Sequence, residues 1–240
     1  MNYLHFLCRI KKVKQLGMEI QAMRTRFPLV EKYMRACMMD SAHDMEHVYR
    51  VLNYALDIAR YEADVDLDVL ITACLLHDIG REEQYKDPGV DHAACGAEKA
   101  FRWLTDNGYS ENMASAVKRC IETHRFRSGD PPDNNEAKIL FDADKLEACG
   151  AMGIARTLFY KSIVSEPLYS LTDNGSVSDG ACDSEPSFFQ EYKFKLEKVY
   201  DNFYTQRGAE IACKRKKAAV DFYSSLLSEV QECYSISQNY

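Results

Sequence analysis

Helical periodicity runs through almost the whole chain and limits its fold more than any other feature. Apolar residues recur at steps of three and four, as in LDVLITACLLHDIG, whereas no convincing stretch alternates apolar and polar residues as a half-buried strand does. Hydrophobic residues make up 46% of the sequence, which is enough for a packed core. The chain is therefore predicted to be all-α, with helices over 18–39, 44–63, 67–79, 91–107, 110–125, 135–145, 146–164, 186–206 and 208–234.

Turn-forming residues mark several of the predicted helix ends. Gly80 and Gly108 follow helical runs, as C-terminal caps do, and Ser110 stands where an N-cap is expected. The stretch 165–186, SEPLYSLTDNGSVSDGACDSEP, has no helical period and is predicted to be a mobile loop that acts as a substrate lid.

A length of 240 residues fits one ordinary domain, or one domain with an appendage. Residues 1–17 turn basic after a broken apolar patch and are predicted to be a loosely attached N-terminal extension. The remaining 18–240 are predicted to form one domain, with its motifs at about 40–160 and C-terminal helices over 187–234.

Charge and cysteine usage exclude several classes of protein. The formal net charge of -7 disfavours duplex nucleic acid as a partner, because such binding needs Lys and Arg against phosphates. Small anionic substrates remain compatible with this charge, since a metal site can be locally positive. The nine cysteines form no CxxC pair, which indicates a reducing, cytoplasmic location. No run approaches the ~18 apolar residues of a membrane-spanning helix, so no membrane partner is expected.

Histidines and carboxylates occupy helical positions where apolar residues belong. Asp78, with His77 beside it, continues the apolar stripe that includes Leu70 and Cys74. Each such residue alone has an ordinary explanation, as a hydrogen-bonded core histidine or a helix-capping aspartate. An ionised carboxylate buried without a partner costs several kcal/mol, however, and a metal ion suits both residue types. The same inward placement is predicted for His47, His92, His124 and Asp144.

The order His, His-Asp, Asp resembles the HD superfamily of metal-dependent phosphohydrolases. The matching segments are HDMEHVYRV at 43–51, LLHDIGR at 75–81 and FDADKLEACGAMGIAR at 141–156. The likeness is closest to the bacterial stand-alone branch, and it implies a single helical bundle of the HD-domain type with extra C-terminal helices. It also implies a divalent metal that activates water, held by His47, His77, Asp78 and Asp144.

The two remaining inward histidines leave the number of metal ions open. Some HD families use two such residues to bind a second metal, and here they would be His92 and His124. The favoured alternative is one metal, with both histidines contacting phosphate or moving a proton beside it. Asp78 is predicted to receive a proton from the water, and Glu82 to act as an acid or to orient water, unless it is only a solvated helix-end carboxylate. His43 is predicted to orient a neighbouring ligand.

Four cationic residues near the motifs are predicted to bind the phosphorylated substrate, although each could instead be an ordinary surface residue. They are Arg50, Arg81, Lys145 and Arg156. The mixed nitrogen and oxygen ligand set favours Mn or Mg in use, while Fe, Co, Ni and Zn also fit.

The predicted function is hydrolysis of a phosphoester or phosphoanhydride, with a nucleotide as the favoured substrate, by an enzyme of the nucleoside triphosphate pyrophosphohydrolase or nucleotidase type. One alternative is a two-metal cyclic nucleotide phosphodiesterase. An alternative of another class is a non-catalytic metal-binding regulatory domain. The oligomeric state is open, and a homodimer is compatible with the sequence.

Overall fold

The computed structural model describes residues 17–38, 45–125 and 130–237, with side chains described over 27–38, 45–125 and 130–234. The predictions for residues 1–16 and for His43 fall outside these ranges. The described helices are α1 (Gly17–Cys37), α2 (Met45–Ala59), α3 (Leu67–Leu76), α4 (Arg81–Lys86), α5 (His92–Asp106), α6 (Glu111–Glu122), α7 (Asn135–Lys145), α8 (Gly150–Ile163), α9 (Phe188–Glu191) and α10 (Gln206–Ser237). A short 3-10 turn, Leu146–Ala148, joins α7 to α8.

The described residues contain no β-sheet, only an isolated antiparallel bridge between Leu171 and Val177, which confirms the predicted all-α fold. The main core is formed by α1, α2, α3, α5, α6 and α7. A second, smaller core joins α8, α9 and α10 to the segment 165–186. In this core the rings of Tyr192 and Tyr223 stack with their centres 3.9 Å apart. Within the described ranges, no helix has both the length and the apolar character needed to cross a bilayer.

Helix ends in the first half of the chain agree only in part with the prediction. Ser110 caps α6 by accepting from the amide of Met113, and Gly108 has φ +79°, as a C-terminal cap requires. The C-cap prediction for Gly80 is wrong, because α3 already ends at Leu76 and Gly80 has φ −94°. A separate short helix, α4, follows Gly80 and was not predicted. His77 and Asp78 therefore lie in a turn after α3, not inside the helix.

The predicted helix over 186–206 is wrong over its second half. Regular α-helix ends at Glu191, and a wider turn, Tyr192–Leu196, continues it for one turn only. The chain then runs without helix until α10, with Asn202 at φ +60°. The hydroxyl of Thr205 accepts from the amide of Gly208, so it caps the new helix and fixes its start.

The segment 165–186 is irregular, as predicted, and its backbone is tied to the structure around it. The amides of Phe188 and Phe189 donate to the carbonyls of Pro167 and Leu168, both at 3.0 Å. At the other end of the loop, the hydroxyl of Tyr223 donates to the carbonyl of Asp179. These contacts place the loop against α9 and α10. Its mobility and its role as a lid stay predictions.

Candidate metal centre

Four ligand-type side chains converge from three separate elements. His47 comes from α2, His77 and Asp78 from the turn after α3, and Asp144 from the last turn of α7. Nε2 of His47 lies 3.2 Å from Oδ1 of Asp144, 3.3 Å from Nε2 of His77 and 3.5 Å from Oδ2 of Asp78. Nε2 of His77 lies 3.6 Å from Oδ2 of Asp78 and 4.0 Å from Oδ1 of Asp144. Only Asp144 keeps appreciable exposure, 23% of its side chain, so the cluster is open on that side.

The spacing and the hydrogen bonds of these atoms fit a divalent ion. Ligands about 2.1 Å from an ion at right angles lie about 3.0 Å apart, slightly closer than the atoms here. Nδ1 of His77 donates to the carbonyl of Cys74 at 2.8 Å, which leaves the lone pair of Nε2 directed at the cluster. Oδ2 of Asp78 is buried and has no hydrogen-bond partner among the described residues. A cation at the centre of the cluster would satisfy both atoms.

Glu147 contacts the cluster, and the sequence analysis did not single it out. Its Oε2 lies 3.3 Å from Nδ1 of His47 and accepts from Arg50 at 2.9 Å and from Arg156 at 3.0 Å. Arg156 also lies 2.8 Å from the same His47 nitrogen, so the tautomer of His47 decides which contact is the hydrogen bond. Coordination through Nε2 needs the proton on Nδ1, which then donates to Glu147. The signal in the sequence is its place three residues after Asp144, on the same face of a helical turn.

The electrostatics of the cluster reflect two acidic groups held against histidines. Burial lowers the pKa of His47, but the nearby carboxylates of Asp144, Asp78 and Glu147 outweigh burial and raise it to about 10. Burial alone would raise the pKa of Asp144. The hydrogen bond and the charge of His47 outweigh burial and hold the pKa of Asp144 well below its usual range. Without a metal, His47 therefore offsets the negative charge of Asp144, while Arg81 also offsets that of Asp78.

A second group of side chains shares Asp78 with the first. Oδ1 of Asp78 lies 3.4 Å from Nε2 of His92 and 3.9 Å from Nε2 of His124, and it accepts from Nε of Arg81 at 2.9 Å. Nδ1 of His124 donates to the carbonyl of Ile121 at 2.6 Å, while its Nε2 is buried without a hydrogen-bond partner among the described residues. Burial lowers the pKa of His124 to about 4, and burial is also the main cause that lowers the pKa of His92. Both rings are therefore neutral near pH 7.

Three of the four predicted substrate-binding cations lie at this cluster, and one does not. Arg50 and Arg156 contact Glu147, and Arg81 contacts Asp78. Lys145 instead donates to backbone carbonyls of the segment before α10, so it does not join the other three, and its role as a substrate contact stays a prediction. Glu82 pairs with Lys86 on the exposed side of α4, and this placement does not support a catalytic role.

Close backbone packing brings the turn after α3 against α5. A Cβ added at Gly80 would lie 2.3 Å from the carbonyl oxygen of His92 and 2.7 Å from the amide of Gly96, so only glycine fits. Lys99 secures the same turn by donating to the carbonyl of Ile79 at 2.8 Å. This contact places His92 beside Asp78.

A family model of the HD domain matches residues 44–149. YueE of Bacillus subtilis, provisionally named a phosphohydrolase, is 30% identical over 132 residues that cover 50% of this chain and 71% of YueE. The chain belongs to the HD superfamily. YpgQ of Bacillus subtilis is 28% identical over 194 residues, which cover 79% of this HD protein and 85% of YpgQ.

Several solved structures resemble this chain over most of its length. A predicted HD superfamily hydrolase from an uncultured Thermotogales bacterium has a TM-score of 0.56 and 29% identity, covering 84% of this chain and 91% of its own. The structure of YpgQ in complex with ADP has a TM-score of 0.65 and 25% identity, covering 85% of this chain and 97% of its own. The HD protein described here is accordingly a hydrolase with a cluster suited to a divalent metal.

Proposed function

We propose that this HD protein is a divalent-metal-dependent phosphohydrolase acting on a nucleotide, of the nucleoside triphosphate pyrophosphohydrolase or nucleotidase type. The observation that carries the proposal is the meeting of four ligand atoms, from His47, His77, Asp78 and Asp144, between guanidinium groups. YpgQ, which resembles this chain at 25% identity, has been solved with ADP, and this supports a nucleotide over other phosphorylated compounds.

The guanidinium groups lie on two sides of the proposed metal ligands. Arg50 and Arg156 are held by Glu147 behind His47, with 26% and 36% of their side chains exposed. Arg81 is held by Asp78 on the other side, with 22% exposed. These partly exposed cations can bind phosphoryl oxygens from opposite sides, and positioning and positive charge are what phosphoryl transfer chiefly needs.

One buried acceptor is available for the proton of the attacking water. Nε2 of His124 lies 3.9 Å from Oδ1 of Asp78 and has no hydrogen-bond donor among the described residues, whereas Oδ2 of Asp78 faces the proposed ion. A divalent ion, when bound, neutralises charge on the phosphate and makes a water molecule more acidic. We assign the role of proton acceptor to His124, and the acceptor role that the sequence analysis gives to Asp78 stays a prediction.

The number of metals depends on the tautomer of His92. Its Nδ1 lies 2.8 Å from Oε1 of Gln84 and 2.7 Å from Nη1 of Arg125. If Nδ1 donates to Gln84, Nε2 is free to bind a second ion; if Nδ1 accepts from Arg125, Nε2 donates to Asp78 or to phosphate. Two nearby guanidinium groups, from Arg81 and Arg125, already supply positive charge there. We therefore favour one metal, Mn or Mg.

The test is a panel of nucleotides assayed with added Mn, together with elemental analysis of the purified protein. A pyrophosphohydrolase releases pyrophosphate, a nucleotidase releases phosphate, and a cyclic nucleotide phosphodiesterase opens the ring. We expect one Mn per chain, and His77→Ala should lose both metal and turnover. Two Mn per chain, with the second lost in His92→Ala, would favour the two-metal phosphodiesterase. Metal binding with no turnover on the whole panel would refute the proposal and leave a regulatory metal-binding domain.

A further inference from the structure

The segment that carries two residues of the candidate centre, 142–150, is in contact with the C-terminal region. Asp142 is fully buried two residues before the proposed ligand Asp144. Its carboxylate accepts from the amides of Tyr204 and Thr205, at 3.0 and 2.7 Å, and from the hydroxyl of Thr205 at 2.6 Å. The start of α10 is therefore fixed to the last turn of α7 by three hydrogen bonds to one carboxylate.

Lys145, directly after Asp144, binds the same loop. Its ammonium donates to the carbonyls of Asp201 and Asn202, at 2.5 and 3.1 Å, and lies 4.8 Å from the ring centre of Phe203. Asp142 and Lys145 thus flank Asp144, and both hold the segment 201–205. Rotation of the last turn of α7, which would move the Asp144 carboxylate, would break contacts on both sides.

Two further contacts hold the part of the segment that carries Glu147. Arg215 donates to the carbonyl of Leu146 at 3.1 Å, and the hydroxyl of Tyr200 accepts from the amide of Gly150 at 2.9 Å. Gly150 has φ +68°, and a Cβ there would lie 2.7 Å from that of Arg215, so α10 packs directly on the start of α8. The matched HD family model ends at 149, before any of the C-terminal residues that make these contacts.

We propose that residues 200–215 act as a positioning clamp for the metal centre, setting the orientation of Asp144 and Glu147. The contacts are to residues beside the ligands, and a carboxylate ligand that can rotate freely binds metal less tightly than one held in place. The inference rests on the metal centre of the proposed function and does not depend on the substrate.

Mn affinity of the full-length protein, measured by calorimetric titration, tests the clamp without any turnover assay. Thr205→Val removes the hydroxyl that donates to Asp142 but keeps the shape of the side chain. We expect it to weaken Mn binding about tenfold, as loss of a residue supporting a ligand does. Thr205→Ser keeps the hydroxyl and should restore affinity to within about twofold of the wild type, by the same reasoning.

The matched control is Ser187→Ala, which also removes a buried helix-capping hydroxyl, but at the start of α9. It should lower thermal stability as Thr205→Val does and leave Mn affinity unchanged. Should Thr205→Val fail to fold, Tyr200→Phe, which removes only the oxygen facing Gly150, takes its place with a weaker expected loss of about threefold. Wild-type Mn affinity in the folded variant would overturn the clamp while leaving the metal centre intact. Absence of Mn binding in the wild type would overturn both.

Discussion

Replacement of Glu147 tests whether the candidate centre depends on more than its four ligands. Oε2 of Glu147 faces Nδ1 of His47, Arg50 and Arg156, whereas its Oε1 is buried without a hydrogen-bond partner among the described residues. In Glu147→Gln, the amide oxygen can replace Oε2, and the amide nitrogen then takes the place of Oε1. The substitution therefore removes the negative charge and keeps the acceptor, while Glu147→Ala removes both.

The expected loss follows from what the carboxylate does for His47. A carboxylate that accepts from Nδ1 fixes the tautomer with a free Nε2 and makes that nitrogen more basic, and its loss typically weakens metal binding by about 10- to 100-fold. Glu147→Gln should weaken Mn binding by about tenfold, or about 1.4 kcal/mol, because the hydrogen-bond acceptor for Nδ1 remains. Glu147→Ala should approach a hundredfold, because His47 can then accept from Arg156 and direct its Nε2 proton at the metal position.

Calorimetric titration with Mn gives both affinities, and thermal unfolding of the metal-free protein shows whether each variant is folded. Glu197→Gln removes the same charge at an exposed pair with Lys193, so it controls for the change in net charge. Folded Glu147→Gln and Glu147→Ala that both bind Mn within twofold of the wild type would refute the assigned role of Glu147.

Two further predictions concern the packing and the protonation of the centre. Gly80→Ala should lower the free energy of unfolding, measured in urea, by about 3 kcal/mol, because the new Cβ would lie 2.3 Å from a backbone oxygen that cannot move aside. Gly96→Ala should lower it by only about 1 kcal/mol, because the nearest atom to its Cβ would be 3.2 Å away. Equal losses in the two variants would contradict this packing argument. Since the pKa of His47 is raised to about 10 without metal, Mn must displace a proton from it at neutral pH, and Mn affinity should rise about tenfold per pH unit between pH 6 and 8. Titrations in buffers of different ionisation enthalpy count that proton, and a count of zero would show that His47 is already neutral.

The sequence predicts the all-α fold and the inward placement of the ligand residues because both follow from local periodicity. His47 and the apolar residues around it lie on one buried face of α2, as the three- and four-residue steps require. His77 and Asp78 are buried as predicted, although the helix ends before them. Periodicity marks which way a side chain faces, but it does not mark the residue at which a helix gives way to a turn.

The structure departs from local expectation where a distant segment decides the outcome. Lys145 stands next to Asp144 in sequence, and only the position of the loop 201–205 shows that its ammonium is used there. The break in the predicted helix over 186–206 has the same origin, because that loop must leave helical geometry to reach Asp142. The sequence predicts a helix cap at Gly80 because this glycine follows a helical run. In the structure, glycine is required there because the backbone packs against His92 and Gly96 of α5.

The same long-range contacts explain why the motif alone is an incomplete description of the centre. Each proposed ligand is held by a contact from outside its own motif or element: His47 by Glu147, the turn of His77 and Asp78 by Lys99, and Asp144 by the segment before α10 through its neighbours. Metal affinity depends on how well ligands are held before the ion arrives. Two chains with identical HD motifs can therefore differ in affinity through these supporting residues, and substitutions at Thr205 and Glu147 should change Mn binding without altering any ligand.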